Sequence, residues 1–218
     1  MKYAILSDIH GKRKHLKQVL KAIKAHDVDH IFCLGDIWEC KIGKSQVKDF
    51  LFAFADQIVD FDPKLAKRLS SVSCIVGNQE ERIRHLLPKE ETDEELRYFL
   101  TLPPVIELTH GRLEHGHLFV NDKNWAPYPK RLDKHLLFFG HSHYSSLYQL
   151  QWQNKQWQPK KVDIQFGVPI ELDLVRYWGI NVGAVVSEEP EWLLYEESSN
   201  TVTFFRETVS SPENDKPA

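Results

Sequence analysis

Cysteine is scarce in this 218-residue chain: three in all, Cys33, Cys40 and Cys74. Their spacing suggests neither a disulfide framework nor a zinc knuckle. Cys33 and Cys74 lie inside the apolar runs IFCLG and SCIVG, where a buried free thiol is expected. Long hydrophobic runs are missing too. The N-terminal YAIL is too short for the core of a signal peptide, and nothing approaches the length of a membrane span. The expectation is a cytoplasmic protein with no membrane partner. Charge of one sign is also lacking: 28 Lys+Arg against 31 Asp+Glu give a formal net charge of -3, which does not indicate a nucleic-acid partner. The basic residues that cluster over 12–24 have the spacing of the wet face of an amphipathic helix. No Pro/Gly/Ser-rich linker and no internal repeat divides the sequence, so one domain over 1–208 is expected. The closing SSPENDKPA has no large apolar residue, and 209–218 reads as a disordered tail. Nothing in these properties bars a homo-oligomer.

What the chain does have is a series of short apolar runs: KYAILS, HIFCLG, SCIVG, VIELT, RLEHGHLFV (112–120) and HLLFFG. Several lack alternation, the pattern of strands buried on both faces. Helical patterns separate the first three. Over 12–26, Leu16, Val19, Leu20 and Ile23 fall at helical spacing, and 45–60 and 80–100 also read as helices, the latter broken near Pro88. A β-α-β-α-β opening argues for an α/β fold with a parallel portion. From about Ser145 strands dominate. LYQLQWQNKQWQPKKVDIQF reads as a half-exposed hairpin over 147–165 turning at Asn154-Lys155, and EWLLYEESSNTVTFF as another.

The strands end in polar residues able to bind metal. LSDIHG supplies Asp8 and His10, CLGDIWE supplies Asp36, and IVGNQE supplies Asn78. EHGH adds His115 and His117; FFGHSH adds His141 and His143. A lone Asp after a strand is usually a turn or a helix cap. A lone His is more often a surface or core residue. Their recurrence after successive apolar runs is a stronger signal, because sites in open α/β sheets form at the carboxyl ends of strands. Carboxylate and imidazole together suit borderline divalent ions, and the supply exceeds what one tetrahedral ion needs. Two ions about 3.5–4 Å apart require a bridging carboxylate and activate a hydroxide for in-line attack on phosphorus. No Gly-rich phosphate loop or nucleophilic Ser-His pair competes.

Asp8-Ile9-His10, Gly35-Asp36, Gly77-Asn78-Gln79-Glu80, His115-Gly116 and Gly140-His141-Ser142-His143 together resemble the calcineurin-like metallophosphoesterases. INVGAV (180–185) is similar to the N-P-G-S strand of their small phosphodiesterase members. The resemblance implies two packed mixed β-sheets flanked by helices, with the site on loops at one edge. It implies that Asp8, His10, Asp36 and His143 hold one divalent ion, and that Asp36 (bridging), Asn78, His115 and His141 hold the second. Mn is the favoured metal, with Fe, Zn or Ni as alternatives. The implied activity is hydrolysis of phosphodiesters or small phosphate esters, with a metal-bridging hydroxide as nucleophile. Asp36, Asn78 and Gln79 stand closest to the chemistry, and Glu80 and His117 behind the ligands.

One position departs from the family. Gln79 stands where relatives carry a histidine that protonates the leaving oxygen. An amide hydrogen-bonds but does not supply that proton, and general acid catalysis is typically worth about 10²–10⁴-fold. Substrates with poor leaving groups should suffer most. His117 and a metal-bound water are the candidates to replace the donor. The alternative from another class is a weakly active or inactive scaffold that binds a protein partner, like the phosphoesterase-like retromer subunit, which also lacks this histidine; the 147–165 hairpin would then be a contact surface. A Ser/Thr protein phosphatase is disfavoured because GDIWECK replaces that group's G-D-x-x-D-R-G. His110-Gly111 reads as a hairpin turn. His15, His26, His30, His85 and His135 read as structural or surface residues, and Trp38, Trp152 and Trp157 as packing residues.

Overall fold

The run KYAIL forms β1 (Lys2–Leu6), whose side chains leave the strand alternately for two different cores. Tyr3 and Ile5 enter a layer shared with a second sheet, while Ala4 and Leu6 enter one shared with helices. Burial on both faces is why the sequence shows no alternation here. This computed structural model describes residues 1–48, 52, 54–87 and 94–208. The 209–218 tail and the break near Pro88 lie outside them.

After β1 come α1 (Arg13–Ile23), β2 (His30–Cys33), α2 (Pro63–Arg68), β3 (Ser73–Cys74), α3 (Asn78–Leu86) and α4 (Glu94–Leu100). The remainder is β4 (Val105–Glu107), β5 (Gly111–Glu114), β6 (Leu136–Phe139), β7 (Ser145–Gln153), β8 (Gln156–Val162), β9 (Ile170–Glu171), β10 (Tyr177–Val182), β11 (Glu191–Glu196) and β12 (Thr201–Arg206). Among the described residues they build two six-stranded mixed sheets, ordered β3-β2-β1-β11-β12-β9 and β4-β5-β6-β10-β7-β8. β1, β2 and β3 are mutually parallel in the first; β5, β6 and β10 are parallel in the second. Ile5, Leu34 and Ile75 meet Leu113, Phe138 and Ile180 between the sheets. The helices pack Leu16, Val19 and Leu65 on the outer face of the first sheet. The α/β expectation of two packed mixed sheets with flanking helices holds. No helix among the described residues is long and apolar enough to cross a membrane.

The 147–165 hairpin forms as β7 and β8. Its turn residues Asn154 and Lys155 have φ of 50° and 63°, the left-handed pair a tight two-residue turn needs. Local differences are instructive. The helix read over 45–60 is replaced, among the described residues, by turns and a single 3₁₀ turn at Ala55–Gln57. Cys40 draws Val59 into an antiparallel bridge, and Lys41 N–H takes the Ile58 carbonyl, so this backbone is committed elsewhere. The helix α2 falls outside the helical segments read from apolar spacing, although Asp62-Pro63 is its start signal: the Asp62 side chain accepts from Lys64 N–H at 2.9 Å. The 112–120 strand stops at Glu114. Gly116 takes φ 112° and turns the chain, so His117 does not alternate with His115 along a strand.

Candidate metal centre

Both sheets deliver their strand ends to one edge of the molecule. Asp8 and His10 follow β1, Asp36 follows β2, and Asn78 opens α3 after β3; His115 follows β5, and His141 and His143 follow β6. Asp8, His10, Asp36, His141 and His143 all adopt left-handed backbone, with φ between 46° and 69°. Such residues cost of order 1–3 kcal/mol each and persist where surrounding structure enforces them. Here the enforcement is visible. Asp8 N–H donates to the Gly35 carbonyl at 3.0 Å, and the Asp36 carbonyl accepts from Ile9 and His10 N–H at 2.8 and 2.9 Å. The loops approach so closely that a Cβ on Gly77 would overlap the Asp36 carboxylate, and one on Gly140 would overlap Ser7 and Asp8.

Two groups result. Asp8, His10 and His143 offer ligand atoms within 4.8 Å of one another, as do Asp36, His115 and His141. Asp36 Oδ2 joins them, lying 3.3 Å from His115 Nε2 and 3.8 Å from His10 Nε2. Asn78 Oδ1 is 3.0 Å from His115 Nε2. Asp8 Oδ2 accepts from His141 N–H, whereas its buried Oδ1 has no hydrogen-bond partner. A buried carboxylate oxygen left unpaired is costly, and here it faces His143 Nε2 at 3.4 Å and His10 Nε2 at 3.7 Å. That orphaned oxygen and the mixed carboxylate, imidazole and amide set suit divalent cations.

Second contacts fix the ring orientations. His115 Nδ1 donates to the Leu34 carbonyl at 2.8 Å, and His10 Nδ1 pairs with Glu39, leaving both Nε2 atoms directed into the site. Burial opposes charge on His10 and His115, but the neighbouring carboxylates outweigh it and raise them to about 10 and about 9. Burial likewise works to raise Asp8, yet His10 and His143 hold it below the ordinary carboxylate range. His141, half-buried and beside His115, falls to about 4.

The acidic residue of IVGNQE proves central to the scaffold. Glu80 is fully buried, and its oxygens accept from Gly77 and Asp36 N–H (2.9 and 2.8 Å) and from Ile37 and Trp38 N–H (2.8 and 3.0 Å). It ties the Asp36 loop to the start of α3. Burial and Asp36 push its carboxyl up to about 7, against these backbone donors. Gln79 Oε1 accepts from Cys40 N–H at 3.2 Å, and its own N–H binds Asp36 Oδ1 at 2.8 Å. Because Cys40 N–H can only donate, the side-chain group Gln79 has left to offer is its NH₂. The His117 ring lies tilted beside His115 and edge-on to His141, and its Nε2 is 3.2 Å from Glu81. Sequence reasoning missed Glu39, which had no motif to mark it, and the clamp made by Asn181. Asn181 is buried and donates to the Gly140 carbonyl and Ser142 Oγ at 3.0 and 2.7 Å, holding the His141–His143 turn. Trp38 is buried in the helical core against Phe61 and Phe99, as expected of a packing residue.

The calcineurin-like phosphoesterase superfamily domain matches residues 1–189. The chain belongs to this superfamily. No curated protein matches it. Among solved structures, a metallophosphoesterase from Sphaerobacter thermophilus is similar at TM-score 0.65 and 20% identity, covering 96% of this chain and 89% of that one. This likeness shows the fold. Yfce, a phosphoesterase from E. coli, aligns at TM-score 0.48 and 22% identity, covering 90% of this chain and 89% of its own. An archaeal phosphodiesterase aligns at TM-score 0.48 and 14% identity over 94% and 99%. In this calcineurin-like phosphoesterase His10, Asp36, Asn78, His141 and His143 line a cleft of about 530 Å³, which also takes in Gln79 and Arg82.

Proposed function

We propose that this protein hydrolyses phosphodiesters or small phosphate esters at a centre of two divalent cations. Asp8, His10, Asp36 and His143 would hold one, and Asp36, Asn78, His115 and His141 the other; Mn²⁺ suits this donor set, as do Fe, Zn and Ni. The observation that carries the reading is Asp36 Oδ2, which faces an imidazole nitrogen of each group at 3.3 and 3.8 Å. When bound, such a pair supplies a nucleophile at neutral pH and neutralises phosphoryl charge.

The chain's own residues have separable parts. The Leu34 carbonyl and Glu39 hold His115 and His10 in the tautomer that leaves Nε2 free to bind. The Gln79 backbone N–H fixes Asp36 through Oδ1, which would leave Oδ2 available to the cations. The Gln79 side chain offers the cleft a hydrogen-bond donor that orients a phosphoryl or leaving oxygen without protonating it. The scaffold alternative is less well supported, because a retired site has no need to keep every ligand position filled and convergent. The test is hydrolysis of bis(p-nitrophenyl) phosphate with added Mn²⁺ beside an Asp36→Ala control. Turnover that vanishes in the variant supports the reading; no turnover, or turnover that survives the substitution, refutes it.

A further inference from the structure

The cleft over the candidate metal centre carries three cations on its walls: Lys12 from the turn between β1 and α1, Lys44 from the turns after Cys40, and Arg82 from α3. Among the described residues neither lysine side chain has an acidic partner, and Arg82 bonds only to the Ile42 carbonyl, at 3.1 Å. The cleft's carboxylates are committed, Asp36 to His10 and His115, and Glu39 to His10. Arg82 stands one helical turn beyond Asn78, about 6 Å along the axis and on the same face. The segment that carries Lys44 is pinned to α3 at two points, Cys40 N–H on Gln79 Oε1 and Ile42 on Arg82.

These cations and Gln79 complement each other. A leaving alcohol needs a proton, which Gln79 cannot give. A leaving phosphate departs as an anion and needs only charge stabilisation. Resting on the phosphoesterase reading above, we propose that the scissile bond is a phosphoanhydride, with a second phosphate held by Arg82, Lys44 and Lys12 acting as the leaving group. Water oxygen forms the new bond to phosphorus, and the bond from that phosphorus to the bridging oxygen breaks. Its electron pair departs on the second phosphate, and the protons of water pass to solvent or to the product phosphates. Arg82 and the lysines stabilise the charge that develops on the departing group.

The experiment compares kcat/KM for diadenosine pyrophosphate and for the dinucleotide adenylyl-adenosine, with bis(p-nitrophenyl) phosphate as the reference, all with Mn²⁺. The anhydride should be preferred over the dinucleotide by about 10²-fold or more, the worth of a general acid. Charge-assisted hydrogen bonds are each worth about 1.5–3 kcal/mol, so Lys44→Ala with Arg82→Ala should lower that preference at least tenfold, and Lys44→Arg should retain it. Lys12→Ala and Lys44→Ala act at exposed side chains, so their effects are separable from folding. Cleavage of the dinucleotide at or above the anhydride rate overturns the proposal, as does an equal loss on both substrates in the variants. If bis(p-nitrophenyl) phosphate is hydrolysed through Asp36 but the anhydride is not preferred, this inference alone fails. If no ester or anhydride is hydrolysed, both fail.

Discussion

On the two-cation reading, the imidazoles of His10 and His115 would carry opposite obligations with and without metal. In the metal-free site their neighbours Asp8, Asp36 and Glu39 raise them from 6.5 to about 10 and about 9. A histidine raised on folding stabilises the fold fully below its unfolded value and loses that contribution as pH rises through the folded one. The metal-free protein should therefore lose thermal stability between about pH 6.5 and pH 10 on this account, as thermal scans in chelator would register. Metal must displace those protons, so saturating Mn²⁺ should weaken or reverse the trend; an identical pH slope with and without metal would contradict the assignment of these ligands. Gln79 belongs to the same scale. Gln79→His should raise turnover on adenylyl-adenosine, by up to about 10²-fold if the new imidazole protonates the leaving oxygen; an unchanged rate would remove this position from the chemistry.

Among the elements, the strand-end loops and α3 act as one unit through Glu80. Glu80→Gln would set an NH₂ group against backbone donors that now have an acceptor, leaving buried N–H groups unpaired. Each such group costs about 1–3 kcal/mol, so denaturant unfolding should show a loss of about 3 kcal/mol; a loss under 1 kcal/mol would mean the loop is held by other contacts. Much of this level was legible. Asp8, His10, Asp36, Asn78, His115, His141 and His143 each announce themselves by following an apolar run, and all converge. The left-handed backbone at Asp8, His10, Asp36, His141 and His143 was not legible, because it is imposed by loops distant in sequence. The apolar pattern over 45–60 misled because bonds from Cys40 and Lys41 override local helical preference. Glu39 acts through a contact that no local pattern encodes, and INVGAV marks Asn181 without revealing its hold on the Gly140 carbonyl.

For the whole molecule, the site exists only where the two sheets meet. Asp8, His10, Asp36 and Asn78 come from the first, and His115, His141 and His143 from the second. A cation bound across that seam binds the folded chain and not the unfolded one. At a concentration about 100 times its Kd it stabilises by about 2.7 kcal/mol, which for a chain of this size raises Tm by roughly 5–10 °C. Chelation should reverse the shift, and a Tm indifferent to both would argue against a site spanning the sheets. The most direct test of the two-cation account is turnover of bis(p-nitrophenyl) phosphate followed as Mn²⁺ is added stepwise to metal-free protein, with bound metal measured at each step. The account predicts that turnover climbs chiefly as the second equivalent binds. Full turnover at a single equivalent, or two bound equivalents with no turnover, would contradict it.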